Sequence, residues 1–297
     1  MGNKAASTRR ISVVVISRNE GADLRMTVEN LSDTLPGDAE IVVVDDGSTD
    51  HSADFLARRR GRIRLFRTGG DGVAKSRVFG ANQATGEVLV FADAHLGLDA
   101  GWWKPMVEQL QDPRVGAVAP AITRLPASNV VGYGITFTGP KMEIRWLRRK
   151  PAAPVAVPVL PGCCLAMRRD VFDSTGGGWD PGMLHRGNVD NEMSVRLWLL
   201  GYELVLVPDV LVRHRFRPVS PFPVGWPEYL HNRLRLAFVH FRPSRLAASV
   251  ASLRRLPGFG EALNLLVEGD ITERKRTISA LRKRTDDWYF ERFRLNW

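Results

Sequence analysis

The chain has 297 residues, 44% hydrophobic and 25% charged, which suits one large globular domain or about two at ~150 residues each and excludes wholesale disorder, a collagen-like fibre and a disulfide scaffold. With 42 basic against 32 acidic residues the formal charge is +10; this favours anionic partners such as nucleic acid, an anionic membrane surface or phosphate-bearing small molecules, although biased composition alone gives the same excess. No apolar run reaches the ~18 residues of a membrane-spanning helix.

The opening MGNKAASTRR is polar and basic, has no apolar signal core, and leads into residues 11–16 (ISVVVI), a β-branched run that reads as a strand buried on both faces. Leu24, Val28 and Leu31 lie at helical spacing over residues 21–31. Residues 40–44 (EIVVV) predict a second buried strand, followed by the turn-forming DDGSTD. A helix through Phe55–Leu56, a strand at 63–66, a helix at 72–84 and a buried strand at 87–91 (EVLVF) complete an alternation that specifies βαβ units and a parallel sheet.

The second half changes character. Residues 101–111 read as a helix, with Trp102 and Trp103 packing it onto the sheet, and 115–123 read as a strand. Residues 126–160 are mixed and hairpin-like, with four prolines between Pro151 and Pro161. A helix at 191–200, stopped by Gly201, precedes strands at 202–207 and 210–212. The chain then reads as helical from Pro227 to about Arg284, ending in a basic tail that carries Arg274-Lys275-Arg276 and Arg282-Lys283-Arg284.

Ligands of open α/β sheets bind beyond the carboxyl ends of the strands. Three polar groups fall there: Ser17-Arg18-Asn19-Glu20, Asp45-Asp46, and Asp93-Ala94-His95. Asp93 and His95, two apart, can face one metal ion if the chain bends between them. Cys163 and Cys164 are adjacent, a spacing that reaches disulfide geometry only with strain. They read as reduced, space-filling thiols and point to a reducing, cytoplasmic setting. His51, His185, His231 and His240 read as surface, cap or loop residues.

The segments ISVVVISRNE, IVVVDDGSTD and GVAKSRVFGANQATGEVLVFADAH resemble the family 2 type of GT-A nucleotide-sugar glycosyltransferase. FADAHLGLDAGWWKPMVEQL, VLPGCCLAMRRDVFDSTGGGWD, DNEMSVRLWLLGYELVLVPDVLVRHRFR and HNRLRLAFVHF follow in the order seen in the catalytic domain of polypeptide N-acetylgalactosaminyltransferases. The resemblance implies a GT-A-like, mostly parallel α/β sheet flanked by helices over residues 1–242, with a basic helical C-terminal extension over 243–297. It also implies transfer of a sugar, most simply from a UDP donor, to an acceptor hydroxyl.

The same resemblance distributes the roles. Asp93, His95 and His214 would hold Mn²⁺ or Mg²⁺. Asp46, supported by Asp45, would meet the uracil edge, while Arg77 would lie along the nucleotide and Arg217 would meet the diphosphate. Asn19, Glu20 and Ala94 complete the donor-binding set. The segment from Arg217 to Pro223 would act as a lid.

Two departures bear on mechanism. Where the resembled family has Glu-Asn-x-Glu this chain has Val189-Asp190-Asn191-Glu192, so Asp190, with Glu192 beside it, is the candidate general base of an inverting reaction. The family's aromatic gate falls near His185-Arg186, neither of them aromatic gate residues of the Trp type. The alternatives are a retaining UDP-N-acetylhexosamine transferase and, from another class, a basic nucleic-acid-binding protein; no nucleic-acid-binding module is recognisable, so no such partner is expected. Peripheral membrane contact through the basic tail is a further expectation, with the protein otherwise cytoplasmic.

Overall fold

The computed structural model describes residues 10–59, 61–126, 128–217 and 225–297. Its N-terminal strand-forming runs make up one half of a ten-stranded mixed sheet. β1 (Ile11–Ser17) is followed by α1 (Ala22–Thr34), β2 (Glu40–Asp46), β3 (Ile63–Thr68), α2 (Val73–Gln83) and β4 (Val88–Asp93). β2 lies on one side of β1 and β4 on the other, both parallel to it, and Ile16 pairs with Asp93 while Ser17 pairs with Asp45. The strand order therefore reverses at β1, and the crevice beyond its carboxyl end is the expected ligand position for such a sheet.

The remaining elements are β5 (Leu96–Gly97), α3 (Trp103–Gln109), β6 (Val115–Arg124), β7 (Val131–Gly132), β8 (Ile135–Phe137), β9 (Ile144–Trp146), β10 (Val155–Ala156), β11 (Cys164–Arg168), α4 (Arg169–Ser174), α5 (Val189–Leu199) and β12 (Glu203–His214). The helices α6 (Trp226–His240), α7 (Pro243–Leu253), α8 (Phe259–Glu268), α9 (Ile271–Leu281) and α10 (Asp286–Arg292) close the chain. The sheet runs β10-β12-β6-β11-β4-β1-β2-β3. β11 enters antiparallel between β4 and β6, and β12 pairs parallel with β6. β8 and β9 form a separate two-stranded sheet.

This architecture is the α/β class with flanking helices read from the sequence, with four local differences. The helix expected through Phe55–Leu56 is a single 3-10 turn, Asp54–Leu56. The two strands expected at 202–207 and 210–212 are one, β12, whose register shifts between Val207 and Leu211. Pro208 lies in that shift, as expected for a residue that cannot donate to a sheet ladder. His231 and His240 are interior residues rather than surface ones, at 2% and 0% exposure. The C-terminal basic tail is only partly solvated: Arg276 and Lys283 are exposed, but Arg274 is buried, Arg282 donates to the His240 carbonyl, and Arg284 donates to the carbonyls of Trp198 and Tyr202.

The expected boundary at residue 242 falls between α6 and α7, and the apolar core runs across it. Leu253, Ala262, Leu266, Ile278 and Phe290 share one cluster with Phe91 and Leu165 of the sheet. A buried ionic network joins the same elements. Arg235 of α6 clasps Asp180 at 2.7 Å and Asp270 at 2.7 Å, and Glu192 of α5 is held by Arg196 and His240, each at 2.9 Å. Trp102 is buried, and its indole donates to Thr34 Oγ1, so it packs α3 as expected.

Candidate active site

A cavity of about 440 Å³ opens at the reversal point of the sheet, within the usual size for small-molecule sites. Its floor is built from strand ends. Asp93 closes β4, the chain turns at the buried Ala94, and His95 points back toward the same spot. His214 arrives from the end of β12, which pairs with β5 through His214 and Leu96. The expected convergence is present: ligand atoms of Asp93, His95 and His214 lie within 4.8 Å of one another. The two Nε2 atoms are 3.0 Å apart, and Asp93 Oδ2 is 3.4 Å from that of His214.

The surroundings fit a cation at that point. Glu20 Oε2 is 2.9 Å from His95 Nδ1. This hydrogen bond places a proton on Nδ1 and leaves Nε2 with its lone pair toward the shared spot, as supporting carboxylates do at metal sites. Burial opposes the charge on Asp93, but the His214 hydrogen bond and the Arg77 cation outweigh it and hold its carboxyl well below the usual range. Burial likewise disfavours imidazolium at His95, yet Glu20 and Asp93 raise its pKa. A divalent cation would compete with that proton. One carboxylate and two imidazoles suit Mn²⁺ or a similar borderline ion.

Arg77 is the hub of the opposite wall. It projects from α2, is 2% exposed, and contacts Asp93 at 3.2 Å, the Gly162 carbonyl at 2.7 Å and the Asp190 carboxylate. The indole of Trp179 lies beneath it at 5.0 Å. Asp190 begins α5 and lines the cavity with its side chain 31% exposed. The close approach explains Gly162, where an added Cβ would meet the Asp190 carboxylate.

Other expected site residues are redistributed. Asp46 lines the cavity, but its carboxylate already accepts from Thr68 Oγ1 and from the backbone N–H groups of Gly70, Asp71 and Gly72. Oδ1 takes three of these bonds and Oδ2 one, so the carboxylate shapes that loop while Oδ2 keeps an acceptor position. Asp45 faces away, accepting from Ser48 N and pairing with Arg67 at 2.6 Å. Asn19 does not line the cavity; its amide clamps the turn after β2 by accepting from Thr49 N. Glu192 is 0% exposed within its ionic network and does not touch the cavity, which removes it from the catalytic set. Arg217 does line the cavity, bound to Glu20 at 2.6 Å and Asp23 at 2.8 Å. Of the expected lid, residues 218–223 lie outside the described residues.

The thiols are free, Cys164 inside the sheet and Cys163 on the cavity wall. Burial, with Asp93 nearby, pushes the Cys163 thiol up. This disfavours the thiolate, the form a cysteine nucleophile needs. Several wall residues carried no sequence signal. Asn188 and Tyr229 are brought in by the α5 entry and by α6, and Trp146 by the β8–β9 hairpin. Phe216 could have been found from its place beside His214, whose ring it meets at 4.4 Å.

Comparison with known proteins agrees with this geometry. The family profile described as "Glycosyl transferase family 2" matches residues 12–176. Human polypeptide N-acetylgalactosaminyltransferase 15 is 30% identical over 250 residues, which cover 76% of this chain and 39% of that protein. Polypeptide N-acetylgalactosaminyltransferase 11 of Xenopus tropicalis is 30% identical over 253 residues, 77% of this chain and 42% of that protein. The chain thus spans less than half the length of these relatives. Among solved structures, GalNAc-T7 with UDP, GalNAc and Mn²⁺ superposes with a TM-score of 0.79 at 24% identity, covering 96% of this chain and 56% of that one. The mannosyltransferase PcManGT from Pyrobaculum calidifontis, in complex with GDP-Man and Mn²⁺, gives 0.54 at 20% identity over 93% of this chain and 74% of that one. Both likenesses are of fold.

Proposed function

This chain belongs to glycosyl transferase family 2, and from that premise we propose that it is a metal-dependent transferase moving a sugar from a nucleoside diphosphate, most simply a UDP-sugar, to an acceptor hydroxyl. The observation that carries the proposal is the convergence of Asp93, His95 and His214 at the carboxyl end of the sheet. UDP, GalNAc and Mn²⁺ in the GalNAc-T7 structure, and Mn²⁺ in that of PcManGT, support the choice of nucleotide and metal.

A divalent cation bound by Asp93, His95 and His214 would neutralise the charge that develops on the diphosphate leaving group. The chain's own residues supply the rest. Arg217 stands at the cavity rim to meet phosphate oxygens, exchanging its present partners Glu20 and Asp23 for them. Arg77 fixes Asp93 and Asp190 on either side of one guanidinium. Asp190 takes the proton of the acceptor hydroxyl as it attacks, a contribution worth ~10²–10⁴-fold in rate, and the anomeric configuration inverts.

A retaining N-acetylhexosaminyl transfer is the second reading. The Arg77–Asp190 ion pair favours it, because it engages the carboxylate that a single displacement needs. Calorimetry of UDP with and without Mn²⁺, followed by donor-hydrolysis assays over a panel of nucleotide sugars, tests the proposal. The expected result is Mn²⁺-dependent UDP binding and turnover of one donor class; indifference of both to a chelator overturns it.

A further inference from the structure

β6 and β12 run parallel and finish side by side, with Arg124 paired to His214. One further bond follows, from Leu125 N to the His214 carbonyl at 2.8 Å, before the chain turns back through Ser128, whose carbonyl accepts from Thr123 Oγ1 at 2.7 Å. Beyond these strand ends lies a second cavity of about 450 Å³. Phe216 stands between it and the first. It lines both, and its ring meets those of His214 at 4.4 Å and Trp146 at 6.2 Å. Arg215 and Arg217, on either side of it in the chain, also line both.

Among the described residues, each charged side chain on the wall of the second cavity is an arginine: Arg124, Arg215 and Arg217. Two of them have carboxylate partners. Arg215 pairs with Asp23 at 3.0 Å, and Arg217 pairs with Asp23 at 2.8 Å and with Glu20 at 2.6 Å. Those two acids balance those two cations, and Arg124 is the surplus. It is exposed and makes no hydrogen bond or ion pair with the described residues. A solvated arginine is ordinary on a convex surface. This one stands on a concave wall with two further guanidinium groups, where charge of one sign focuses the field. Their forked N–H groups match the oxygens of a phosphate or a carboxylate.

Topology separates this charge from the donor. The first cavity reaches Ser17 and Asp46 at the ends of β1 and β2, the reversal point at which such sheets take nucleotides. β6 and β12 lie to the other side, separated from β1 by β11 and β4. The donor diphosphate has the cation cage and Arg217 to meet its charge. Arg124 answers to a different anion, carried by a second substrate that approaches over Phe216.

We propose that the acceptor is an anion: a small hydroxyl compound whose phosphate or carboxylate group docks on Arg124 and Arg215 in the second cavity, while its hydroxyl reaches past Phe216 to the sugar. This deepens the function proposed above and rests on it. The docked anion takes no part in the bond change. The acceptor oxygen bonds to the anomeric carbon, the nucleoside diphosphate leaves, and the hydroxyl proton passes to Asp190.

The test uses the full chain saturated with UDP and Mn²⁺, so that the donor's own anion site is occupied, and three probes built on one ring: glucose, glucose 6-phosphate and glucuronate. Calorimetry at low salt gives a Kd for each. At least one anionic probe should bind about tenfold more tightly than glucose, the scale of a hydrogen bond to a charged group, and the preference should shrink as salt rises. Which anion is preferred separates phosphate from carboxylate. Arg124→Gln should remove most of the preference, and Arg124→Lys should keep part of it. Arg124 is exposed, so both variants should fold and bind UDP–Mn²⁺ as the parent does. Arg58→Gln, an exposed change on the β3 side of the sheet, should leave the preference intact. No anion preference in a parent that binds UDP–Mn²⁺ overturns this inference and leaves the proposed function standing. So does a preference that survives Arg124→Gln, or one that Arg58→Gln reduces equally. A parent chain that binds no UDP in the presence of Mn²⁺ overturns both.

Discussion

Arg77 holds Asp190, 113 positions later in the chain, in an ion pair whose other arm reaches Asp93 at 3.2 Å. One buried cation thus sets the separation between the carboxylate at the end of β4 and the carboxylate at the start of α5. Both acids would otherwise repel each other across the cavity.

Arg77→Lys keeps the charge but loses the fork that spans several acceptors. Transfer should fall by at least ~10²-fold, because the reacting groups lose their mutual placement. The stability loss should be smaller, about 1–3 kcal/mol for acceptors left unpaired. Steady-state kinetics beside urea unfolding separate the two; a rate loss no larger than the stability loss explains would reduce Arg77 to a structural strut.

Asp190→Asn separates proton transfer from helix entry. Asn also suits the first turn of a helix but cannot accept the proton. UDP–Mn²⁺ binding should persist while transfer drops ~10²–10⁴-fold. NMR of the product gives the independent check: an α-linked product from a UDP-α-sugar means retention and removes Asp190 as the base of a single displacement.

His214→Ala should abolish the Mn²⁺ dependence of UDP affinity and also lower the thermal midpoint in metal-free buffer, since the ring contacts His95, Asp93 and Phe216. Chelator titration of parent and variant checks this. Equal Mn²⁺ enhancement in both would show that the cation binds elsewhere.

Asp46→Asn turns one of the two acceptor oxygens into a donor facing N–H groups. The loop at residues 69–72 should loosen, with a stability cost of about 1–3 kcal/mol and weaker UDP binding as a consequence. Hydrogen exchange at Gly70, Asp71 and Gly72 reads the loop directly; unchanged protection contradicts the assigned role.

Acid stability should follow Glu40. Burial alone would raise its pKa, but hydrogen bonds from Ser12, from the backbone and side chain of Thr85 and from Arg64 lower it from 4.5 to about 2. A carboxylate depressed on folding stabilises fully above its unfolded pKa and loses that contribution as pH falls through its folded one. The parent should therefore lose stability as pH drops from about 4.5 toward about 2. Glu40→Gln should be less stable at neutral pH and flatter across that window. Parallel pH profiles for the two proteins would assign the acid sensitivity to other groups.

The sheet was legible because residues 11–16, 40–44 and 87–91 are apolar strand-forming runs with no competing helical period; the structure carries each strand one or two residues further at its carboxyl end and starts the third at Val88. The metal triad was legible from the resemblance, because strand ends are fixed by topology. Asp46 shows where such reading stops. Its position at a ligand-facing strand end is right, but which donors satisfy its carboxylate depends on how the loop at residues 69–72 folds back. Glu192 misled for a related reason. On a helix, two residues apart means opposite faces, so Asp190 meets the cavity while Glu192 meets Arg196 and His240. The conformation of residues 184–188 was not legible because the hydrogen bonds that hold it come from Asn232, far along the chain.

The order in which the wall of the cavity is built also has a consequence for synthesis. Asp93 and His95 emerge from the ribosome with the first strands, but His214 follows His95 by 119 residues, and Arg284, which pins the root of its strand through the Tyr202 carbonyl and Glu203, comes later still. A nascent chain can form the parallel strands and their turns early, yet it has no finished cation cage until His214 has been made. Release before His214 would leave the strand ends without the third member of the cage, so truncation there should remove cation binding as surely as a change at Asp93 or His95.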